Sequence, residues 1–151
     1  MNTEAPWTRA APHVTLPPFA VTGSSLLARI ITVNTNGIRA AARKGFFEWL
    51  AGQDADVVCI QETKAQQSQL TDPIFYPEGY HCYYNDAVRK GYSGTAIYSR
   101  VRPHRVIDSL GWEPADSEGR YLQADYSGLS VVSLYLPSGS SSDEAQQKKY
   151  R

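Results

Sequence analysis

The residues best suited to chemistry follow two short apolar runs, at the point where each run gives way to polar side chains. Ile30 to Val33 leads into Asn34 and Asn36. Val57 to Ile60 leads into Glu62. One carboxylate with nearby amide oxygens suits a hard cation such as Mg²⁺, which keeps several of its waters. Magnesium pairs naturally with phosphate, so the pattern indicates phosphate chemistry, although a glutamate at a strand end is more often only solvated.

The two apolar runs are predicted to be neighbouring β-strands. Each is rich in Val and Ile, and the uninterrupted apolar run at Val57 to Ile60 is typical of a strand covered on both faces. Between them, Ile38 to Leu50 has apolar residues at helical spacing, and we expect a helix there that is firm only after Gly45. Strand, helix and strand then form a crossover with parallel strands. The polar residues after both strands should emerge at one sheet edge, where α/β proteins usually bind ligands.

The middle of the chain is rich in predicted strands. His81 to Asn85 and Thr95 to Ser99 flank a basic, glycine-containing loop, which is typical of a hairpin. Segment 66–79 is expected to be a loop with a short helical turn. Three further strands are predicted, the last two joined by a tight turn at 127–128: Arg105 to Ile107, Tyr121 to Tyr126 and Leu129 to Leu136. These elements predict an α/β (α+β) fold with a mixed β-sheet and flanking helices.

Length, charge and cysteine content limit the class of protein. The chain has 151 residues and can bury one core, and no apolar run approaches the roughly 20 residues of a bilayer span, so we expect a soluble protein without a membrane partner. Fifteen basic residues balance fifteen acidic ones, so attraction to nucleic acid would have to come from local basic clusters. Cys59 and Cys82 lack zinc or disulfide spacing, and we expect free thiols in a cytoplasmic protein.

The two ends of the chain differ in character from its middle. Residues 1–27 contain four prolines and little apolar periodicity, so we expect a flexible N-terminal extension before a domain that spans 28–151. An acidic first turn at Asp143 and Glu144 predicts a helix that continues to Arg151 without a stop signal. That pattern favours a truncated chain.

Five motifs occur in order: T-V-N-T-N-G-I-R from Thr32, I-Q-E-T-K from Ile60, G-Y-S-G from Gly91, E-G-R from Glu118 and S-L-Y-L-P-S-G from Ser133. Together they resemble the exonuclease III family of apurinic/apyrimidinic endonucleases, within the endonuclease/exonuclease/phosphatase superfamily. The resemblance implies a DNA repair nuclease, a hydrolase with both endonuclease and 3′-5′ exonuclease activity. It implies Mg²⁺ as cofactor, with Mn²⁺ as the alternative, and a full-length monomer acting on double-stranded DNA with abasic sites or 3′ ends. It also implies that residues 28–151 form the amino-terminal half of a four-layer αββα sandwich.

The resemblance assigns roles to particular positions. Glu62 and Asn34 match metal-binding residues, and with Tyr135, which matches a tyrosine that contacts the scissile phosphate, they form the catalytic set. Many relatives carry an aspartate where this chain has Asn36. The positions that match DNA-contacting residues are Arg39, Lys64, Tyr92, Ser93 and Ser138.

Three other basic residues, Arg89, Lys90 and Arg120, have the chemistry to hold phosphates. Ordinary surface charge is the simpler account of Arg89 and Lys90.

Part of the family's machinery is missing from the sequence. A G-D-x-N segment and a terminal S-D-H motif do not occur, and His13, His81 and His104 do not match the family's histidine. The chain by itself is therefore expected to be inactive, with an apolar sheet face left exposed. Two alternatives stay open. One is a non-catalytic DNA-binding or complementing half that needs a second chain, and the other is a phosphodiesterase of the same fold that acts on lipid or inositol phosphates.

Overall fold

The computed structural model of the chain describes residues 28–137. The predicted extension over 1–27, the predicted helix after Asp143 and the candidate residue Ser138 therefore lie outside the described residues.

The first sheet has four strands in the order β1-β2-β4-β3. The two Val- and Ile-rich runs are parallel neighbours, as predicted, and β4 runs antiparallel to both β2 and β3. The predicted hairpin is therefore formed by β3 and β4. The strands are β1 (Ile30–Asn34), β2 (Val57–Gln61), β3 (His81–Asn85) and β4 (Thr95–Ser99).

The second sheet has three antiparallel strands in the order β5-β6-β7. Residues 127–128 form the predicted tight turn between β6 and β7. The last strand ends at Leu134, two residues earlier than its apolar pattern predicted. The strands are β5 (Arg105–Ile107), β6 (Tyr121–Tyr126) and β7 (Leu129–Leu134).

Short helices connect the strands. The segment after β1 forms α1 (Ile38–Arg43) and α2 (Phe46–Ala51), with a break at Gly45, whose φ is 83°. The prediction of a helix that is firm only after Gly45 is wrong, because α1 already begins at Ile38. A third helix, α3 (Glu113–Asp116), was not predicted, because a single turn leaves no periodic signal.

Two 3₁₀ turns, Gln67–Gln69 and Pro73–Phe75, lie in the segment predicted as a loop with a helical turn. No helix within residues 28–137 has the length and apolar character that a bilayer crossing requires.

The helices and the two sheets stack in three layers. Because side chains alternate along a strand, β2 sends Val58 and Ile60 towards the helices and Val57 and Cys59 towards the second sheet. The core on the helix side includes Phe46, Leu50 and Tyr98. The core between the sheets includes Ile97, Leu122, Ala124 and Val131. This mixed sheet with helices on one face and a sheet on the other is part of the predicted sandwich.

One edge of the sandwich is open in the described part of the chain. Strand β7 packs over β2, where Ser133 Oγ donates to the carbonyl of Ile60 at 3.1 Å. The face of β1 that points the same way stays exposed, with Ile30 46% accessible. On the outer face of β7, Val132 and Leu134 are 41% and 43% exposed. Apolar surface is therefore left uncovered at β1 and β7, while β2 is buried on both faces.

Candidate active site

The first sheet places a glutamate at the carboxyl end of its inner strand β2. Glu62 directly follows β2, and each of its carboxylate oxygens has a partner. Asn34 Nδ2 donates to Oε1 at 2.7 Å, and Lys64 Nζ lies 2.7 Å from Oε2. The Tyr135 hydroxyl also hydrogen-bonds to this carboxylate. Donors from the ends of β1, β2 and β7 thus converge on one acid.

Two asparagines extend this cluster along the end of β1. The backbone N–H of Asn36 donates to Asn34 Oδ1 at 2.9 Å, and Lys64 Nζ donates to Asn36 Oδ1. The parallel register pairs Asn34 with Gln61 and so brings the two strand ends to the same edge. The structure therefore gathers the polar residues that follow the two strands, as their spacing predicted.

The backbone of the cluster adopts costly conformations. Of the five non-glycine residues with positive φ in the described chain, four belong to the cluster or to the loop beside it: Asn36, Glu62, Lys64 and Ser93. Such conformations cost on the order of 1–3 kcal/mol each and persist only where the surroundings fix them. Backbone hydrogen bonds do so here, from Gly37 N to Glu62 O at 2.7 Å and from Lys64 N to Ser93 O at 2.9 Å. The fold thus holds the site against local backbone preference.

The contacts around Glu62 and Tyr135 shift their pKa values in opposite directions. Partial burial raises the pKa of Glu62, but three side-chain hydrogen bonds and the charge of Lys64 outweigh burial and hold the pKa below its usual range. Burial raises the pKa of Tyr135, and its hydrogen bond to the Glu62 carboxylate raises it further, whereas the charge of Arg120 opposes the shift. At neutral pH the cluster therefore offers a carboxylate and a protonated phenol.

The cluster meets the needs of a magnesium ion in part. Within residues 28–137 there is no group of three or more His, Cys, Asp or Glu side chains that could hold a metal. Glu62 supplies one carboxylate, and Mg²⁺ commonly binds proteins through one or two carboxylates plus waters. Asn34 Nδ2 faces Glu62 and its Oδ1 accepts from the Asn36 backbone, so this amide would have to turn to present oxygen to a metal. Glu62 fits the ion, and a complete site needs further ligands.

Tyr135 reaches the cluster from the second sheet. It directly follows β7, and its backbone N–H donates to Arg120 O at 2.9 Å. Beneath it the two sheets are joined, because Gln61 Nε2 donates to Ser133 Oγ at 3.1 Å. The packing of one sheet on the other therefore brings Tyr135 to Glu62.

The residues predicted to contact DNA lie in different environments. Arg39 is exposed on the first turn of α1, and the Lys64 side chain is 34% exposed. Tyr92 is half-buried, with Arg89 Cζ 5.2 Å from its ring centroid. Arg39, Lys64 and Tyr92 have access to solvent, and their contacts with DNA stay a prediction.

Ser93 and Arg120 are buried, which the sequence did not indicate. Each is only 1% exposed. Ser93 Oγ has no hydrogen-bond partner in the described part of the chain, and burial separates it from any phosphate unless its loop rearranges. Arg120, which has the chemistry to hold a phosphate, instead forms an ion pair with Glu118 inside the protein. The spacing of acid and base in E-G-R is the signal that could have indicated this pair.

The layers and the cluster together define an α/β sandwich protein with a candidate phosphate site at one sheet edge. Comparison with known proteins specifies the family. Residues 31–150 match the endonuclease/exonuclease/phosphatase family, and the chain belongs to it.

Curated relatives place the chain near DNA repair nucleases. The exodeoxyribonuclease of Bacillus subtilis is 44% identical over 110 residues, which are 72% of this chain and 42% of that protein. The DNA repair nuclease APEX1 of Danio rerio is 33% identical over 129 residues, which are 82% of this chain and 42% of that protein. The predicted family resemblance is confirmed. The chain spans less than half the length of these relatives.

Solved structures show the same fold. An AP endonuclease from Archaeoglobus fulgidus matches with a TM-score of 0.69 and 32% identity, over 82% of this chain and 47% of that one. A 3′ phosphatase from Neisseria, NExo, solved with a product DNA hairpin, matches with a TM-score of 0.70 and 29% identity, over 82% of this chain and 48% of that one. The predicted fold class is confirmed.

Proposed function

We propose that this chain contributes the amino-terminal part of a Mg²⁺-dependent DNA repair nuclease, which hydrolyses phosphodiester bonds at abasic sites and 3′ ends of double-stranded DNA. The observation that carries the proposal is the Glu62 carboxylate at the end of β2, which is ionised at neutral pH and surrounded by Asn34, Lys64 and Tyr135. Relatives named as an exodeoxyribonuclease and a DNA repair nuclease support the reaction and the substrate.

Each residue of the cluster has a role in this proposal. Glu62, with Asn34 beside it, would hold the Mg²⁺ ion, which would neutralise charge on the phosphate oxygens. When DNA is bound, the Tyr135 hydroxyl donates a hydrogen bond to a phosphate oxygen in place of its bond to Glu62, and its raised pKa keeps the hydroxyl protonated at neutral pH. Lys64 orients the carboxylate and moderates the negative charge around it.

Exposed basic side chains supply the contacts to the DNA backbone. Arg39 is exposed, the Lys64 side chain is 34% exposed, and Tyr92 is half-buried with access to solvent. Because the whole chain has no net charge, affinity for DNA depends on these local contacts and falls as salt rises.

The working site includes residues that the described chain does not supply. One carboxylate is a minimal set of protein ligands for the metal, and the G-D-x-N and S-D-H motifs of the family do not occur in the 151 residues. The exposed face of β1 and the open edge at β7 offer a place for further strands. The chain therefore acts together with additional polypeptide, and by itself it is inactive.

A chimera tests this proposal. The 151-residue chain replaces the matching part of the Bacillus subtilis exodeoxyribonuclease, and incision of a duplex with one abasic site is measured with Mg²⁺, with Mn²⁺ and with a chelator. We expect the chimera to incise only with metal, and the isolated chain to leave the duplex intact. Glu62→Gln should lower the rate more than about 100-fold, because even outer-shell partners of a metal typically cost 10- to 100-fold. Glu48→Gln, on the exposed face of α2, is the matched control and should be neutral.

Three outcomes would contradict parts of the proposal. Incision by the isolated chain at the rate of the chimera would contradict its incompleteness. A Glu62→Gln chimera as active as the Glu48→Gln chimera would remove Glu62 from the reaction. Hydrolysis of a phosphoinositide by the chimera, without incision of DNA, would favour the lipid or inositol phosphate alternative.

A further inference from the structure

Arg120 is the largest fully buried side chain among the described residues, at 1% exposure. It immediately precedes β6, and its charge is balanced by Glu118. Arg120 Nε donates to Glu118 Oε2 at 2.6 Å, and a second guanidinium nitrogen pairs with the same carboxylate oxygen. Burial of an arginine has a large desolvation cost, and pairing with a carboxylate offsets that cost. Glu118 balances the charge of Arg120, and the other guanidinium N–H groups bind neighbouring residues.

The guanidinium group lies against two tyrosine rings. Arg120 Cζ is 4.9 Å from the ring centroid of Tyr135 and 5.9 Å from that of Tyr92, distances at which a cation is attracted to an aromatic face. Arg120 Nη2 donates to the Tyr92 hydroxyl at 3.2 Å, and Nη1 donates to the backbone carbonyl of Tyr135 at 3.3 Å. One side chain thus contacts both tyrosines that were predicted to act on DNA.

The backbone around Arg120 is also fixed. Gly119 packs so closely on the neighbouring loop that a Cβ there would lie 2.5 Å from Asn85 O and 3.0 Å from Ala87 N. The carbonyl of Arg120 accepts from the backbone N–H of Tyr135 at 2.9 Å. The three residues of the E-G-R motif therefore supply a counter-charge, a close backbone contact and a buried cation.

We propose that Arg120 is a positioning residue, which holds the Tyr135 ring so that its hydroxyl reaches Glu62 and holds Tyr92 with its hydroxyl proton free for a phosphate. The proposal rests on the proposed function, because it assumes that Tyr135 acts at the phosphate. It differs from a role as a direct phosphate ligand, since Arg120 uses its donors on Glu118 and on the two tyrosines. It also differs from simple packing, since an apolar side chain of similar size could not make these hydrogen bonds.

Fluorine NMR of the 151-residue chain labelled with 3-fluorotyrosine tests the proposal without turnover. The chain has 10 tyrosines, and Tyr92→Phe and Tyr135→Phe assign the two relevant signals. Arg120→Lys keeps the charge, and the double variant Glu118→Gln with Arg120→Met keeps the volume while removing both charges together, so that neither is left unpaired. We expect the two signals to move and broaden in the double variant and to move less in Arg120→Lys, which keeps the charge beside both rings but not every hydrogen bond.

The other tyrosine signals and the thermal midpoint serve as controls for folding. A double variant whose Tyr92 and Tyr135 signals match wild type would show that packing alone is enough and would overturn the proposal. The proposal would also be overturned if the Tyr92 and Tyr135 signals moved as far in Arg120→Lys as in the double variant, because the charge of residue 120 would then have no effect on the position of the rings.

The salt dependence of DNA binding distinguishes positioning from direct phosphate binding. Fluorescence anisotropy with an abasic duplex gives the slope of log affinity against log salt, which changes by about 0.9 for each phosphate that the protein no longer neutralises. We expect Arg120→Met with Glu118→Gln to leave the slope unchanged, and Arg39→Met, at an exposed site, to reduce it. A slope reduced by about one at Arg120 would overturn the proposal. Failure of the chimera to incise DNA would instead count against the proposed function, and the NMR result would stand by itself.

Discussion

Two glycines of the G-Y-S-G loop provide a matched test of how the chain holds its candidate site. Gly91 and Gly94 both have positive φ, 73° and 85°. A Cβ added at Gly91 would meet no atom within 4 Å, whereas a Cβ added at Gly94 would overlap Thr63 Oγ1. Thr63 is 1% exposed and stands between the two charged residues of the cluster. Replacement by alanine therefore strains both positions, but it disturbs the site only at Gly94.

The two substitutions share one energetic cost and differ in another. Both force alanine into the left-handed region, which costs about 1 kcal/mol. Only Gly94→Ala adds a methyl group to a filled space, which typically costs about 1–3 kcal/mol more. Thr63 has little freedom to move, because its N–H donates to Gly94 O at 3.2 Å and its carbonyl accepts from Ile38 N–H at 2.9 Å. We expect Gly91→Ala to lower the free energy of unfolding by about 1 kcal/mol and Gly94→Ala by about 2–4 kcal/mol.

Urea unfolding followed by circular dichroism measures this difference. With a denaturant slope of about 2 kcal/mol per molar urea, an extra 2 kcal/mol moves the midpoint by about 1 M. In the chimera, Gly94→Ala should also slow DNA incision relative to Gly91→Ala, because displacement of Thr63 separates Glu62 from Lys64. Equal urea midpoints for the two variants would refute the claim that the position of Thr63 leaves no room for a side chain at Gly94.

Two further predictions follow from the same loop and cluster. Ser93→Gly should stabilise the chain against urea by about 1 kcal/mol, because it removes both an unpaired buried hydroxyl and a side chain at a φ of 47°. Ser93→Ala removes only the hydroxyl and should stabilise the chain less. Equal stabilisation by the two variants would show that the backbone at Ser93 is unstrained. The stability contributed by Glu62 should be complete above the ordinary pKa of 4.5 and be lost as pH falls through its lowered folded-state pKa, because the unfolded chain binds more protons in that window. Unfolding curves between about pH 3 and pH 7 should show this loss in the wild-type chain. Parallel stability profiles for wild type and Glu62→Gln would contradict it.

Local sequence pattern was enough to predict the strands that carry the site. The Val- and Ile-rich runs at 30–33 and 57–60 form β1 and β2, in parallel, and β2 is buried on both faces. Parallel strands end at the same sheet edge, so the closeness of Asn34, Asn36 and Glu62 followed from the pattern alone. Helix boundaries were less well predicted. The break at Gly45 separates two helices because a left-handed residue interrupts the helical hydrogen bonds, and the apolar spacing continues across it.

The surroundings of Glu62 were decided by the tertiary structure. Tyr135 lies far from Glu62 in the chain and reaches it because the second sheet packs face to face on the first. Arg120 lies behind Tyr135, against its ring. The burial of Arg120 depends on Glu118 and on the rings of Tyr92 and Tyr135, which come from separate parts of the chain. An E-G-R segment on the protein surface would have the same local sequence, so the sequence alone does not distinguish a buried arginine from an exposed one. The sequence by itself determined where the acid emerges, because strand periodicity is a local property. Packing between distant segments decided what surrounds that acid, because such contacts leave no periodic signal in the chain.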